Sequence, residues 1–213
     1  MTNALTVRNA SANDAAAVAA LHVAAWQIAY RRLVPDGYLD AMRPEERAAR
    51  YTFGSTDASL PQTVVAVGDR GLRGFVTVGR ARDEADGVGE LLALYVEPRC
   101  WRMGIGRLLI RHAHARLRAL GFEEAVLWLL VGNEPAARFY EAEGWQPDGT
   151  RRQEEIWGVN VDVIRYRRVL ARPMDAPAID DVVTAWPRSS SRAPPRATSS
   201  TSPAPAVDSG VRV

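Results

Sequence analysis

Residues 91 to 110, LLALYVEPRCWRMGIGRLLI, constrain this chain most, because three local preferences follow one another there without a spacer. The apolar run through Tyr95 and Val96 favours a strand. Pro98 cannot continue a ladder and stops it. Gly104 and Gly106 then loosen the backbone just where Ile105, Leu108, Leu109 and His112 begin to recur at helical spacing. The stretch therefore reads as strand, loop, helix. Amides left without partners at a helix start, reinforced by the helix dipole, hold an anion. The expected guest is a phosphate or pyrophosphate.

Composition limits what such a site belongs to. All 27 basic residues are Arg, so the chain has no lysine for a Walker phosphate loop, a Schiff base or a lysine general base. A formal net charge of +2 and the lack of a basic block in the folded part give no reason to expect nucleic acid. One cysteine, Cys100, excludes an internal disulfide and a cysteine metal cluster, and the only histidines are His22, His112 and His114. No apolar run reaches membrane-spanning length and the start lacks a signal-peptide pattern, so a cytoplasmic enzyme with no membrane association is expected. With 213 residues and 47% apolar side chains the chain can bury one core.

Residues 5 to 8 read as a strand, and Ser11 with Asp14 has capping-box spacing. Val18, Leu21, Ala25 and Ile28 then mark an amphipathic helix over residues 11 to 30, with His22 beside its apolar face as a tolerated helix position. Residues 38 to 42 and 45 to 51 suggest two short helical pieces. Trp26, Tyr30, Tyr38 and Tyr51 make this region aromatic, which suits helix packing or the wall of an acceptor pocket. Residues 62 to 67 and 74 to 78 form a hairpin, and residues 88 to 96 add a third strand. A helix over residues 105 to 120 ends at Gly121, and the continuous apolar run 125 to 131 reads as a buried strand parallel to the one before that helix. Another helix spans residues 133 to 144, with Pro135 in its first turn. Trp145, Ile156 with Trp157, and residues 161 to 169 supply the last strands. Residues 187 to 206 contain no Leu, Ile, Val or Phe. Such a segment cannot offset its ordering entropy, so residues 1 to 170 are expected to fold and 171 to 213 to form a disordered tail.

The order strand, Tyr-Val-Glu-Pro, glycine turn, helix, strand, then Asn133 and Phe139-Tyr140-Glu-Ala-Glu-Gly-Trp145, resembles the GCN5-related N-acetyltransferase (GNAT) superfamily. The resemblance covers residues 4 to 169 and is most specific from Glu90 to Trp145. Members usually carry Arg or Gln, two residues, Gly, one residue, then Gly or Ala. Here the window is Trp101-Arg-Met-Gly-Ile-Gly106, so Trp101 replaces the usual first residue and Arg102 stands where glycine is common. The N-terminal Trp26-Gln-Ile-Ala-Tyr30 and residues 33 to 40 look like a bacterial branch whose acceptors are unassigned.

The resemblance implies an α/β fold: a mixed, mostly antiparallel sheet of about seven strands, helices on both faces, and one splayed parallel pair. It implies acetyl-CoA as co-substrate and a primary amine as acceptor. The pantetheine arm would bond the backbone of Leu94, Tyr95 and Val96 like an added strand. The pyrophosphate would rest on the amides of Arg102, Met103, Gly104, Ile105, Gly106 and Arg107, with Arg107 or Arg111 as a charged clamp. Tyr140 would protonate the departing sulfur, its alternative being a packed helix aromatic. Glu90 would act as base through water, its alternative being an exposed strand-start charge, and Asn133 would bond the pantetheine arm or order a water, its alternative being a helix cap. Cys100 lies beside the loop, but no histidine is near in sequence to activate it and the family transfers directly. The rival to an N-acetyltransferase acting on a small amine or a peptide N-terminus is a silent acyl-CoA-binding module. A homodimer is compatible with either.

Overall fold

A computed structural model describes residues 5 to 170 except 56, 58, 83, 85 and 86. The expected tail, residues 171 to 213, lies outside the described residues. Strand β1 (Thr6–Asn9) leads through a 3-10 turn (Ala12–Asp14) into α1 (Ala15–Ala29), α2 (Asp36–Ala41) and α3 (Pro44–Ala48). The meander β2 (Gln62–Gly68), β3 (Gly71–Arg80), β4 (Val88–Val96) follows. Then come α4 (Ile105–Ala119), β5 (Glu124–Leu130), α5 (Glu134–Ala142), β6 (Gln146–Ile156) and β7 (Val159–Val169).

The strands form one sheet in the order β1-β2-β3-β4-β5-β7-β6, in which only β4 and β5 are parallel. Their pairing covers just Val88 with Glu124, Gly89 with Ala125 and Glu90 with Val126. Beyond Glu90 the two strands diverge, giving the fork that the resemblance implied. The pairing of β3 with β4 slips between Thr77 and Val78, so one extra β4 residue, Leu92, is accommodated. A bulge of this kind reverses which face later side chains take. Leu91, Leu94 and Val96 consequently share one core, while Ala93 and Tyr95 join the other.

Each face has its own helix layer. Val18, Leu21, Ala25, Trp26 and Tyr30 pack with Phe75, Tyr95, Trp128 and Val163 on one side. Leu109, Ala113, Leu117, Ala136 and Tyr140 pack with Leu91, Leu127 and Trp145 on the other. The expected α1 stripe needs one correction: Ile28 is 54% exposed, and the buried line runs instead through His22 and Trp26. The helix begins at Ala15 because Ser11 and Asp14 cap the preceding 3-10 turn, with Ser11 N donating to Asp14 Oδ2 at 2.7 Å. The first hairpin is tighter than expected, since β3 starts at Gly71, where φ is +97°. Trp157 is not in a strand either. It forms, with Gly158, the two-residue turn joining β6 to β7, both at positive φ. No helix among the described residues is long and apolar enough to cross a membrane.

Candidate active site

The fork between β4 and β5 opens into a cavity of about 550 Å³. Leu94 and Val96 line it from β4, Asn133, Pro135, Ala136 and Phe139 from the start of α5, and Cys100, Trp101, Arg102, Gly104 and Gly106 from the loop into α4 and its first turn. Ala29 closes it from α1, so the cavity touches both helix layers through the gap in the sheet.

Its polar groups are few and specific. Helix α4 begins at Ile105, behind Gly104 at φ +85°, and its first bond runs from Leu108 N to Gly104 O at 3.0 Å. The amides of Ile105, Gly106 and Arg107 thus precede any helical acceptor. A Cβ at Gly106 would meet the Phe139 ring at 3.4 Å, so glycine keeps this edge open beside α5. Within the expected cradle, residues 102 to 107, one amide is already engaged. Met103 N turns back to Cys100 O at 3.4 Å, and its side chain is exposed. Arg102 holds φ +63° and reaches the cavity. Arg107 lines it too, although its Nε donates to Glu143 Oε1 at 2.8 Å.

Along β4, Glu97 N bonds Arg73 O at 2.9 Å, which turns the backbone of Glu97 and Tyr95 toward β3 and that of Leu94 and Val96 toward the fork. Tyr95 therefore spends its backbone on the sheet, and its side chain lies on the opposite face, where its hydroxyl accepts from Trp26 Nε1 at 2.9 Å. The carbonyl of Val96 accepts from Trp101 Nε1 at 2.8 Å. The tryptophan that replaces the usual motif residue thus builds one wall and caps the end of the strand.

Asn133 caps its helix, the alternative to its expected bond with the pantetheine arm. Its Oδ1 accepts from Ala136 N at 3.3 Å as a helix cap, while its buried Nδ2 has no partner among the described residues. An orphaned donor in a cavity wall is a place for a ligand acceptor. Tyr140 is fully buried one helical turn beyond Ala136 on the same face, between Phe139 and Trp145, and is not part of the cavity lining. Glu90 is buried at the point where pairing stops, across from Gly79 and Val126. Cys100 lines the cavity, but burial and the Glu97 carboxylate, 3.4 Å from its Sγ, push the thiol up from its ordinary value. That is the reverse of an activated nucleophile.

On the α1 face an aromatic cluster adjoins the fork. His22 is buried, with its ring 4.1 Å from Tyr95 and 4.4 Å from Trp157. Its Nδ1 is hydrogen-bonded to the Tyr51 hydroxyl. Burial, and secondarily Arg47, hold it well below the usual imidazole range, so it is neutral. Sequence reading placed His22 as a tolerated helix position and Trp157 in a strand. The signal for the second was present in the Trp-Gly pair between two β-rich runs, which marks a hairpin tip.

The forked sheet, the free amides at the start of the crossover helix and the cavity between the diverging strands form a site with anion-binding groups at one end. The family model described as Acetyltransferase (GNAT) family matches residues 23 to 145, and the chain belongs to that family. A curated relative, the uncharacterized N-acetyltransferase YuaI of Bacillus subtilis (strain 168), is 31% identical over 140 residues, covering 65% of this chain and 78% of its own. Among solved structures, an N-acetyltransferase from Staphylococcus aureus Mu50 superposes with a TM-score of 0.61 at 18% identity, over 79% of this chain and 99% of that one. PaiA N-acetyltransferase from Thermoplasma acidophilum, solved in complex with coenzyme A, gives 0.58 at 19% identity, over 78% and 99%. These likenesses establish the fold and the acetyltransferase class.

Proposed function

We propose that this chain is an N-acetyltransferase that moves the acetyl group of acetyl-CoA directly to a primary amine of a small molecule or of a peptide N-terminus. The observation that carries this reading is the fork cavity, with the buried, unpartnered Asn133 Nδ2 in its wall. The residues present suit the co-substrate: three unfilled helix amides for a pyrophosphate, and a free strand edge at Leu94 and an orphaned amide donor for the pantetheine arm. Bound there, acetyl-CoA supplies an activated thioester.

The amides of Ile105, Gly106 and Arg107 bind the pyrophosphate, helped by the charges of Arg102 and Arg107. Leu94 presents its backbone to the arm, and its N–H is aimed to stabilise charge developing on the carbonyl oxygen. Val96 contributes its N–H only, because Trp101 occupies its carbonyl. Tyr140, at the inner end of the α5 face that carries Ala136, is the proposed acid for the sulfur. Glu90, at the closed end of the fork, is the proposed base, acting through water.

Release of thiol from acetyl-CoA across a panel of amines, polyamines, amino acids and peptides tests the reading. Tyr140→Phe is expected to slow turnover by about 10²-fold or more while leaving acetyl-CoA binding near normal. An unchanged rate with saturating amine removes Tyr140 from the mechanism. Calorimetric binding of acetyl-CoA with no thiol release over the whole panel would make the chain a silent acyl-CoA-binding module instead.

A further inference from the structure

One end of the sheet is β6, which bonds only β7 among the described residues, so its outer edge is an open row of backbone groups. Which groups face outward follows from β7. Asp162 O accepts from Val131 N at 2.9 Å, so Asp162 turns its backbone toward β5, and the ladder bonds to β6 fall on Val159, Val161 and Val163. Gln153, opposite Asp162, therefore presents its N–H and C=O to the outside. Arg151 and Glu155, two residues to either side, do the same. The straight edge is short. A register shift between Pro147 and Arg151 breaks it on one side, and the Trp157-Gly158 turn closes it on the other.

Charges on an edge strand ordinarily keep it from pairing, and a run of one sign would do so here. This edge carries both signs, in the order Arg151, Arg152, Gln153, Glu154, Glu155. Turned end for end about Gln153, the order meets its own complement: Arg151 falls opposite Glu155, Arg152 opposite Glu154, and Gln153 opposite itself. The backbone agrees with this register, because the outward-facing residues 151, 153 and 155 then lie opposite one another and each pair exchanges two bonds. A slide of one residue sets an outward-facing residue against an inward-facing one. A slide of two puts Arg152 against Arg152 or Glu154 against Glu154, according to its direction. An in-register parallel pairing places every charge beside its like. The side chains are also available. Arg151, Gln153 and Glu155 are exposed and have no side-chain partner among the described residues, whereas Arg152 and Glu154 form an ion pair at 3.2 Å on the other face.

We propose that β6 is a self-recognising edge: two copies of this chain join β6 to β6, antiparallel and centred on Gln153, into one continuous sheet. Arg151 and Glu155 form reciprocal ion pairs across the two-fold axis on the exposed face, and Arg152 with Glu154 closes a ring of alternating charges on the other. A contact made by residues 151 to 155 is smaller than the roughly 20–30 residues a side of a standard interface, so the dimer is a weak and salt-sensitive one. It is independent of the acetyl-transfer reading, because no residue of β6 lines the fork cavity.

Sedimentation velocity of the full chain, from about 10 µM to about 1 mM at low salt, tests the proposal. A monomer–dimer equilibrium is expected, shifting toward monomer in about 0.5 M salt. Arg151→Glu and Glu155→Arg are each expected to weaken dimerisation by about tenfold or more, since either one sets like charges opposite each other. An equimolar mixture of the two is expected to dimerise again, as is the double variant carrying both changes, because both arrangements restore opposite signs. Gln153→Pro should abolish the dimer: the N–H it removes faces outward and serves no bond to β7, so the fold tolerates the change. Calorimetric binding of acetyl-CoA checks the fold of every variant, and if Gln153→Pro fails that check the charge variants carry the test alone. A chain that stays monomeric at the highest concentration overturns the proposal and leaves the edge to another occupant, such as this chain's own residues 171 to 213. A dimer indifferent to the single charge reversals overturns it as well. So does a dimer that the reversals weaken and neither the mixture nor the double variant restores, since these charges then do not meet across a two-fold axis.

Discussion

Arg102 occupies left-handed backbone, φ +63°, at the position of the loop where glycine is common in the family. The side chain gains a place on the cavity wall, and the backbone bears strain of about 1 kcal/mol for it. Arg102→Gly should therefore separate the two effects. Thermal unfolding is expected to move up by about a degree or two at most, about 0.5 kcal/mol or less after glycine's own entropy cost, while calorimetric affinity for acetyl-CoA falls with the lost guanidinium. A lower melting temperature would show that the arginine side chain stabilises the loop by more than its backbone costs. At this scale the sequence was legible where partners are neighbours in the chain. Ser11 with Asp14, and Asn133 at the start of its helix, follow from spacing alone. Trp101 on the Val96 carbonyl is nearly as local, but only the resemblance drew notice to Trp101. His22 with Tyr51 joins residues 29 apart across two helices, and no periodicity encodes that pair.

The elements themselves were mostly legible, because β4, α4, β5 and α5 each carry a clear period and a clear stop. The bulge in β4 was not. It depends on how Leu92 is accommodated opposite β3, and a run of nine mostly apolar residues gives no sign of where alternation reverses. That reversal matters, since it puts Leu94 on the cavity while sending Tyr95 into the aromatic face. The approach of α4 to the sheet depends on β3 as well. A Cβ on Gly74 would come within 2.8 Å of both the Tyr95 carbonyl oxygen and Leu109 Cδ1, and the first of these is backbone that cannot step aside. Gly74→Ala is expected to destabilise the fold by about 1–3 kcal/mol, read as a lower urea midpoint with an unchanged slope. Because α4 also presents the anion cradle, acetyl-CoA affinity should weaken in the same variant. An unchanged midpoint would mean that α4 can lift from β3 without loss.

For the molecule as a whole, two buried histidines, one in each helix layer, tie stability to pH. His114 of α4 packs 5.7 Å from the Trp145 ring and its buried Nε2 has no partner among the described residues. Burial first, then the charges of Arg168 and Arg118, bring its pKa from 6.5 down to about 4. An unfolded chain takes up this proton below about 6.5, whereas the folded chain refuses it until about 4. Stability is then complete above the unfolded value and is lost as the pH falls through that window. The loss is roughly 3 kcal/mol for one fully developed shift of this size. His22 shifts in the same direction from deeper burial and adds to the loss. Asp14 acts in the same direction at lower pH, since its bidentate bond with Arg8 depresses the carboxyl and its stability is withdrawn only below the ordinary carboxylate value of 3.8. Urea unfolding at pH 7, 5.5 and 4.5 should show a steady fall in the midpoint, and His114→Leu should flatten part of it. Equal slopes in the two proteins would mean that the folded chain protonates His114 as readily as the unfolded one does. In that case the acid sensitivity would belong to other groups, the buried His22 first among them.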